Sequence, residues 1–177
     1  IDRLGSPAGR DLVARCGREL AAVGASEVAG FMRPAAVAAV ADWAMTAMPD
    51  AYWTDTEHNV YFTADDPGLP AGDPRRTRMR SAKGGLAYDQ IPSGSPLRVA
   101  YESDELTAFV AAALGGGNLY RHADELGALN VMYYAEAGGH GWHFDGADAV
   151  VTLMLQPPLG GGQFEYVPML RGADDEN

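Results

Sequence analysis

Cysteine, lysine and long apolar runs are all scarce in this chain of 177 residues. The single cysteine, Cys16, excludes an internal disulfide and any zinc site built from several cysteines. One unpaired cysteine fits a reducing compartment, so we expect a cytoplasmic protein. No stretch approaches the roughly 18 consecutive apolar residues that a membrane-spanning helix needs, and we therefore expect no membrane partner.

Positive charge is scarce as well. The 13 lysines and arginines face 24 aspartates and glutamates, which gives a net charge of −11 at pH 7. A field of this sign repels phosphate backbones and argues against a nucleic-acid partner. The composition, 47% hydrophobic and 21% charged, is typical of a globular domain with a real core. These scarcities therefore argue against membrane and nucleic-acid partners.

Apolar residues recur at helical spacing in three segments, residues 11–23, 35–48 and 104–114. Pro34 precedes the second segment, and proline is favoured in the first turn of a helix. Ser103 precedes the third segment and is a typical N-cap residue, while three glycines after Leu114 are typical of a helix C-terminus. We therefore predict three helices.

Apolar, β-branched and aromatic residues predict five short strands, over residues 27–32, 59–63, 129–134, 149–156 and 163–167. Three consecutive glycines, Gly160 to Gly162, predict a hairpin connection between the last two strands. Because helices dominate the first part and strands the last, we predict an α+β fold with helices against one face of a β-sandwich or barrel. We expect a single domain, helical over about residues 1–117 and β-rich over about residues 118–177.

The pattern Gly-Trp-His-Phe-Asp-Gly places His143 and Asp145 two residues apart. Alternate side chains of an extended chain point the same way, so an imidazole nitrogen and a carboxylate oxygen would be presented together. They are two thirds of a 2-His-1-carboxylate site, which binds ferrous iron. The plainer alternative is a surface histidine beside a turn carboxylate. No histidine follows Asp145 to complete the site, and we disfavour His140 as a ligand because residues i and i+3 of a strand point to opposite faces.

The segment GWHFDGADAVVTLMLQPPLGGGQFEYVP resembles the Fe(II)/2-oxoglutarate-dependent oxygenases. It is most similar to a bacterial branch of free-amino-acid hydroxylases and radical halogenases, and SAKGGLAYDQIPSGSPLRVAYESDELTAFVAAALG and LYRHADELGALNVMYY extend the likeness upstream. The resemblance implies a double-stranded β-helix (jelly roll), with His143 and Asp145 as the first two iron ligands. It also implies a second histidine ligand and an arginine for 2-oxoglutarate after Asn177, so we expect the chain to be C-terminally incomplete.

The same resemblance implies a reaction. The halogenases of this branch carry a small residue in place of the carboxylate, whereas this chain has Asp145. We therefore predict a hydroxylase that uses Fe(II), 2-oxoglutarate and O₂ on a free amino acid or similar small polar metabolite. A halogenase-like oxygenase and a non-catalytic jelly-roll or cupin-like binding module remain the alternatives.

Several charged and aromatic residues are candidates for contacting a substrate. Arg80, the last member of a cluster with Arg75, Arg76 and Arg78, is the best candidate for a bidentate hydrogen bond to a carboxylate; the alternative is a solvated, charge-compensating face. Asp124 and Glu125 could receive an ammonium group, or could be ordinary turn acids. The remaining predictions are His140, Asn130 and Trp142 at the substrate and Tyr134 at the 2-oxoglutarate; the alternatives are a solvated loop histidine for His140 and a packing role for Trp142. Tyr133 is predicted in the core, and His58 and His122 are predicted to be structural histidines.

Overall fold

The computed structural model describes residues 3–147, 149–168 and 170. Within them, four α-helices accompany a three-stranded antiparallel sheet, a mixture that an α+β fold has. The helices are α1 (Pro7–Val23), α2 (Pro34–Ala47), α3 (Pro96–Glu102) and α4 (Asp104–Ala113). The strands are β1 (Tyr52–His58), β2 (Met79–Leu86) and β3 (Val131–Tyr133).

Local capping explains where the helices begin and end. The Ser6 hydroxyl accepts a hydrogen bond from the Gly9 N–H at 3.0 Å, and the φ of 71° at Gly24 ends α1 in the left-handed region that favours glycine. Ser103 caps α4 in the same way, through the Leu106 N–H at 3.1 Å. The three predicted helices are confirmed. Sequence reasoning missed α3, which starts at a second serine–proline pair, Ser95 and Pro96.

The central strand of the sheet is β2. It pairs along its length with β1, from Tyr52 opposite Gly85 to His58 opposite Met79, and its last residues pair with β3. Two of the three strands therefore lie in the part of the chain predicted to be helical, and the predicted order of helices first and sheet second is wrong. The cause is β2, whose small and charged residues lack the apolar alternation by which a strand is recognised.

Two of the strands predicted early in the chain are not formed. Residues 59–63 form a loop, because the Asn59 side-chain oxygen accepts hydrogen bonds from the N–H groups of Tyr61 and Thr63 and thereby closes a turn. Phe62 there has a φ of 57°, which no strand uses. Residues 27–32 also lack strand pairing, and Gly30, with a φ of 70°, interrupts their extended course.

The predicted strand over residues 129–134 is confirmed as the shorter β3, whereas those over 149–156 and 163–167 are wrong. An apolar run becomes a strand only when a neighbour takes its backbone hydrogen bonds. In the described part of 149–168 neither segment has such a partner, and the glycines between them do not close a hairpin. Large apolar side chains there stay exposed, among them Val151 at 62% and Phe164 at 75%.

The buried side chains form two clusters. One joins α2, α3 and the sheet around Val40, Leu86, Ile91 and Val131, each at most 3% exposed. Tyr133 packs against it and donates a hydrogen bond to the Ala44 carbonyl at 2.6 Å, which confirms its predicted place in the core. The other cluster joins α1 and α4 around Cys16 and Phe109. Among the described residues, no helix is long and apolar enough to cross a membrane.

Candidate metal centre

The segment that carries His143 is fastened to β2 and to the end of β1. After β3 the chain makes a turn and returns to β2, where Ala82 and Gly139 exchange two backbone hydrogen bonds of 2.9 and 3.0 Å. Two residues further on, the Gly141 N–H donates to the Ser81 hydroxyl at 2.9 Å. The Phe144 N–H donates to the Val60 carbonyl, also at 2.9 Å. These bonds give the motif a defined position although it is not itself a strand.

The structure brings His143 and Asp145 together, as the spacing predicts. The Nε2 atom of His143 lies 3.2 Å from Oδ1 of Asp145. The Nδ1 atom lies 2.8 Å from the Gly141 carbonyl, which can only accept a hydrogen bond, so Nδ1 carries the ring proton. In the neutral ring, Nε2 then presents a lone pair beside a carboxylate oxygen. The two side chains are 21% and 57% exposed, so an ion from solvent can reach both donors.

His140 lies on the same side as His143, and the prediction of opposite faces is wrong. The two rings stack with their centroids 3.9 Å apart and an angle of 29° between their planes. The strand rule fails because the chain between them bends at Trp142, next to Gly141, whose N–H and C=O groups are bound by Ser81 and His143. Imidazole lone pairs lie in the ring plane, so two stacked rings do not converge on one ion. This geometry argues against His140 and His143 as joint ligands of one metal ion.

Lys83, the only lysine of the chain, lies against His140. Its Nζ atom is 2.7 Å from Nε2 of His140 and 3.2 Å from Nδ1. Burial lowers the pKa of Lys83, an effect that the charge of Asp145 partly opposes. Burial also lowers the pKa of His140 to about 4, and Lys83, His143 and His58 contribute in the same direction. His140 is therefore neutral at pH 7 and accepts a hydrogen bond from the Lys83 ammonium group.

The lowered pKa of His140 leads to a pH prediction. Its pKa of about 4 in the folded protein lies below the ordinary histidine pKa of 6.5, so the unfolded chain binds more protons between these two pH values. The contribution of His140 to stability is full above about pH 6.5 and is lost as the pH falls toward 4. We expect an NMR titration of the imidazole to give a midpoint near 4, and His140→Gln to flatten the loss of stability between pH 6.5 and 4. A midpoint near 6.5 would refute this.

A third histidine, His58, belongs to the same cluster. Its ring centroid lies 6.1 Å from that of His140 and 6.4 Å from that of His143. Its nitrogens are 2.9 Å from the Asn59 carbonyl and 2.6 Å from the Ser81 hydroxyl, and the residue is only 8% exposed. Sequence reasoning treated His58 as a satisfied structural histidine and missed its neighbours. No spacing in the sequence reveals them, because the β1–β2 pairing and the return of the chain at Gly139 create the contact.

The cluster supplies two adjacent metal donors rather than three. Within residues 3–147, 149–168 and 170, no group of three or more histidine, cysteine, aspartate or glutamate side chains is placed to hold a metal ion. His143 and Asp145 form a nitrogen–oxygen pair, while His140 is engaged with Lys83 and His58 with Ser81. A complete 2-His-1-carboxylate site therefore requires one further ligand from outside these residues.

An open pocket of about 310 Å³ lies beside Lys83 on the face of β1 and β2. It is lined by Trp53, Thr54, Asp55, Arg80, Ala82, Lys83, Ala135, Glu136 and Gly138. The fork of Arg80 binds both oxygens of Asp55, at 2.7 and 2.8 Å, and these hydrogen bonds lower the pKa of that carboxyl. Arg80 therefore lines the pocket while its guanidinium group is already paired with Asp55. Gly84 admits the Trp53 ring to the wall, because a Cβ atom there would come within 2.8 Å of it.

The other predicted substrate residues do not line this pocket. Asp124 and Glu125 are exposed, and the Asp124 carboxylate accepts a hydrogen bond from the Leu126 N–H at 2.9 Å within its own turn. The Asn130 amide donates to the Gly127 carbonyl at 3.1 Å. Trp142 and Tyr134 are 46% and 54% exposed on either side of His140 in the chain. Their predicted roles at the substrate and at 2-oxoglutarate stay predictions.

Two other members of the arginine cluster, Arg75 and Arg76, are bound to nearby acids. Arg75 pairs with Asp73 at 2.9 Å and Arg76 with Asp65 at 3.0 Å. These pairs are what the charge-compensating alternative predicts for a solvated face.

The chain matches no protein-family model, no curated protein and no solved structure. A function for the site therefore has to be argued from its own geometry and chemistry.

Proposed function

We propose that this chain is part of a non-haem Fe(II)- and 2-oxoglutarate-dependent oxygenase that hydroxylates a free amino acid or a similar small polar metabolite. One observation carries the proposal. The His143 imidazole presents its Nε2 lone pair 3.2 Å from an oxygen of Asp145, with Nδ1 held by a backbone carbonyl. A nitrogen donor and a carboxylate oxygen, side by side and open to solvent, fit the requirements of ferrous iron.

The proposal assigns separate tasks to the metal and to the protein. Iron, when bound with 2-oxoglutarate, supplies the oxidising chemistry with O₂. His143 and Asp145 hold the ion, and the Gly141 carbonyl keeps the imidazole in the tautomer that can bind it. A histidine from outside the described residues is required as the third ligand. The described sheet would then belong to a larger jelly roll.

The chemistry of the pocket supports a small zwitterionic substrate, with one carboxylate and one ammonium group. Lys83 offers a positive charge beside the histidine cluster, while Glu136 and the Asp55–Arg80 pair line the same space. A carboxylate would be attracted to Lys83 and an ammonium group to Glu136. The volume of about 310 Å³ lies at the lower end of the range of small-molecule pockets.

Asp145 favours hydroxylation over halogenation. A carboxylate in that position is a ligand itself, so the iron site has no vacancy for a chloride ion at that position. The expected product of the full-length protein in the presence of chloride is therefore the substrate plus one oxygen atom. A chlorinated product, detected by mass spectrometry, would overturn this part of the proposal.

An anaerobic titration of the full-length protein with Fe(II) and 2-oxoglutarate tests the proposal most directly. We expect a weak visible charge-transfer band that requires both additions and that is lost in His143→Ala. The competing candidate is a non-catalytic binding module. It is favoured by the lack of a third metal donor among the described residues. Binding of a small molecule without Fe(II) affinity and without the visible band would decide for that module.

A further inference from the structure

A continuous chain of hydrogen bonds runs from the end of β1 to the candidate ligand His143. The Asn59 carbonyl lies 2.9 Å from Nδ1 of His58, and Nε2 of His58 lies 2.6 Å from the Ser81 hydroxyl oxygen. The same oxygen accepts the Gly141 N–H at 2.9 Å. The Gly141 carbonyl lies 2.8 Å from Nδ1 of His143. The chain thus links three separate segments of the protein in four steps.

The direction of each hydrogen bond follows from the two carbonyl groups. A carbonyl only accepts, so Nδ1 of His58 carries a proton and donates it to Asn59. In the neutral ring, Nε2 of His58 then accepts the proton of the Ser81 hydroxyl, whose oxygen is left to accept from Gly141. The Gly141 carbonyl in turn requires the ring proton of His143 on Nδ1. With neutral rings, this arrangement gives each donor of the series an acceptor and leaves the Nε2 lone pair of His143 beside an oxygen of Asp145, two acceptors 3.2 Å apart with no proton between them.

Because the members of this hydrogen-bond chain are buried, water cannot easily replace a hydrogen bond that is lost from it. Asn59, Ser81 and His58 are 0%, 3% and 8% exposed. Close packing at Gly141 has the same effect, since a Cβ atom there would lie 2.9 Å from Cβ of Met79 and 3.3 Å from Nε2 of His58. Removal of one member therefore leaves a buried donor or acceptor unpaired and frees the next member to reorient.

We propose that Ser81 and His58 are positioning residues of the metal centre, which anchor the backbone at Gly141 and thereby keep its carbonyl on Nδ1 of His143, so that His143 stays in its metal-binding tautomer. The inference rests on the proposed function for the metal, but the hydrogen-bond chain exists without it. Partners of metal ligands typically contribute about 10–100-fold to metal affinity. We expect an effect of that size from Ser81, although its hydroxyl touches neither the ion nor the substrate.

The first test compares Ser81→Ala with Ser103→Ala in the full-length protein. Both changes delete a hydroxyl that accepts a backbone N–H, but Ser103 caps α4 and lies outside the histidine cluster. We expect Ser81→Ala to weaken Co(II) and Fe(II) binding about 10–100-fold and Ser103→Ala to leave it unchanged. In the metal-free protein, ¹⁵N NMR should show the Nδ1–H tautomer of His143 in the wild type and a mixture in Ser81→Ala.

The second test is rescue at His58. His58→Leu removes the acceptor for the Ser81 hydroxyl, while His58→Gln provides an amide oxygen in its place. We expect the leucine variant to resemble Ser81→Ala and the glutamine variant to recover most of the affinity. Equal metal affinity and an unchanged His143 tautomer in Ser81→Ala and the wild type would overturn the inference. If His143→Ala binds the metal normally, the proposed function fails instead. The tautomer measurement in the metal-free protein still tests whether the hydrogen-bond chain orients His143.

Discussion

Replacing His143 with alanine should abolish specific Fe(II) binding by the full-length protein. The loss of affinity should exceed the roughly 10–100-fold loss that is typical when only a hydrogen-bond partner of a metal ligand is removed. The change removes the one nitrogen whose lone pair faces Asp145 at 3.2 Å. His140 cannot take its place, because its ring is stacked rather than convergent and its Nε2 atom lies 2.7 Å from the Lys83 ammonium group. Anaerobic titration with Fe(II) would measure the loss.

The matched control for this variant is His122→Ala. His122 is exposed, and its Nδ1 atom accepts a hydrogen bond from the Asp124 N–H within a surface turn. The control removes the same ring from the same protein without touching the cluster of His58, His140 and His143. We expect it to bind Fe(II) as the wild type does. Equal losses in the two variants would show non-specific binding and would contradict a metal centre at His143.

The second large effect is expected from Gly141→Ala. The added Cβ atom would lie 2.9 Å from Cβ of Met79 and 3.2 Å from the Arg80 carbonyl, and the latter is backbone that cannot rotate away. Residues 139–144 would have to lift from β2, which breaks the Gly141–Ser81 hydrogen bond. Overpacking of this kind costs about 1–3 kcal/mol of the free energy of unfolding, and we expect metal affinity to fall with it.

Gly139→Ala is the control for this effect. Gly139 lies two residues away and pairs with Ala82, yet a Cβ atom at this position meets nothing within 4 Å. We expect a change in the free energy of unfolding within about 0.5 kcal/mol, as for other uncrowded surface substitutions. Chemical denaturation of both variants provides the comparison. A Gly141→Ala protein as stable as Gly139→Ala would mean that the segment does not lie this close to β2.

The helices show how much of the fold local sequence can predict. Each begins at a capping serine, a first-turn proline or both, and glycines follow the ends of α1 and α4, so this information lies within a few residues. The strands show the limit of the same reasoning. The apolar run over residues 149–156 looks like a strand and is not one, whereas β2, with Lys83 and two glycines in it, is the centre of the sheet. Pairing partners decided both cases, and they lie far away in the sequence.

The candidate site shows the same difference between local sequence information and contacts made over long distances in the chain. The sequence by itself indicated that His143 and Asp145 can lie side by side, because alternate side chains of an extended segment point the same way. Tertiary structure alone decided which residues surround them. The pairing of β1 with β2 and the return of the chain at Gly139 bring His58, Ser81 and Lys83 to the pair. Hydrogen bonds between segments 60 residues apart, such as Gly141 to Ser81, have no signature in local spacing.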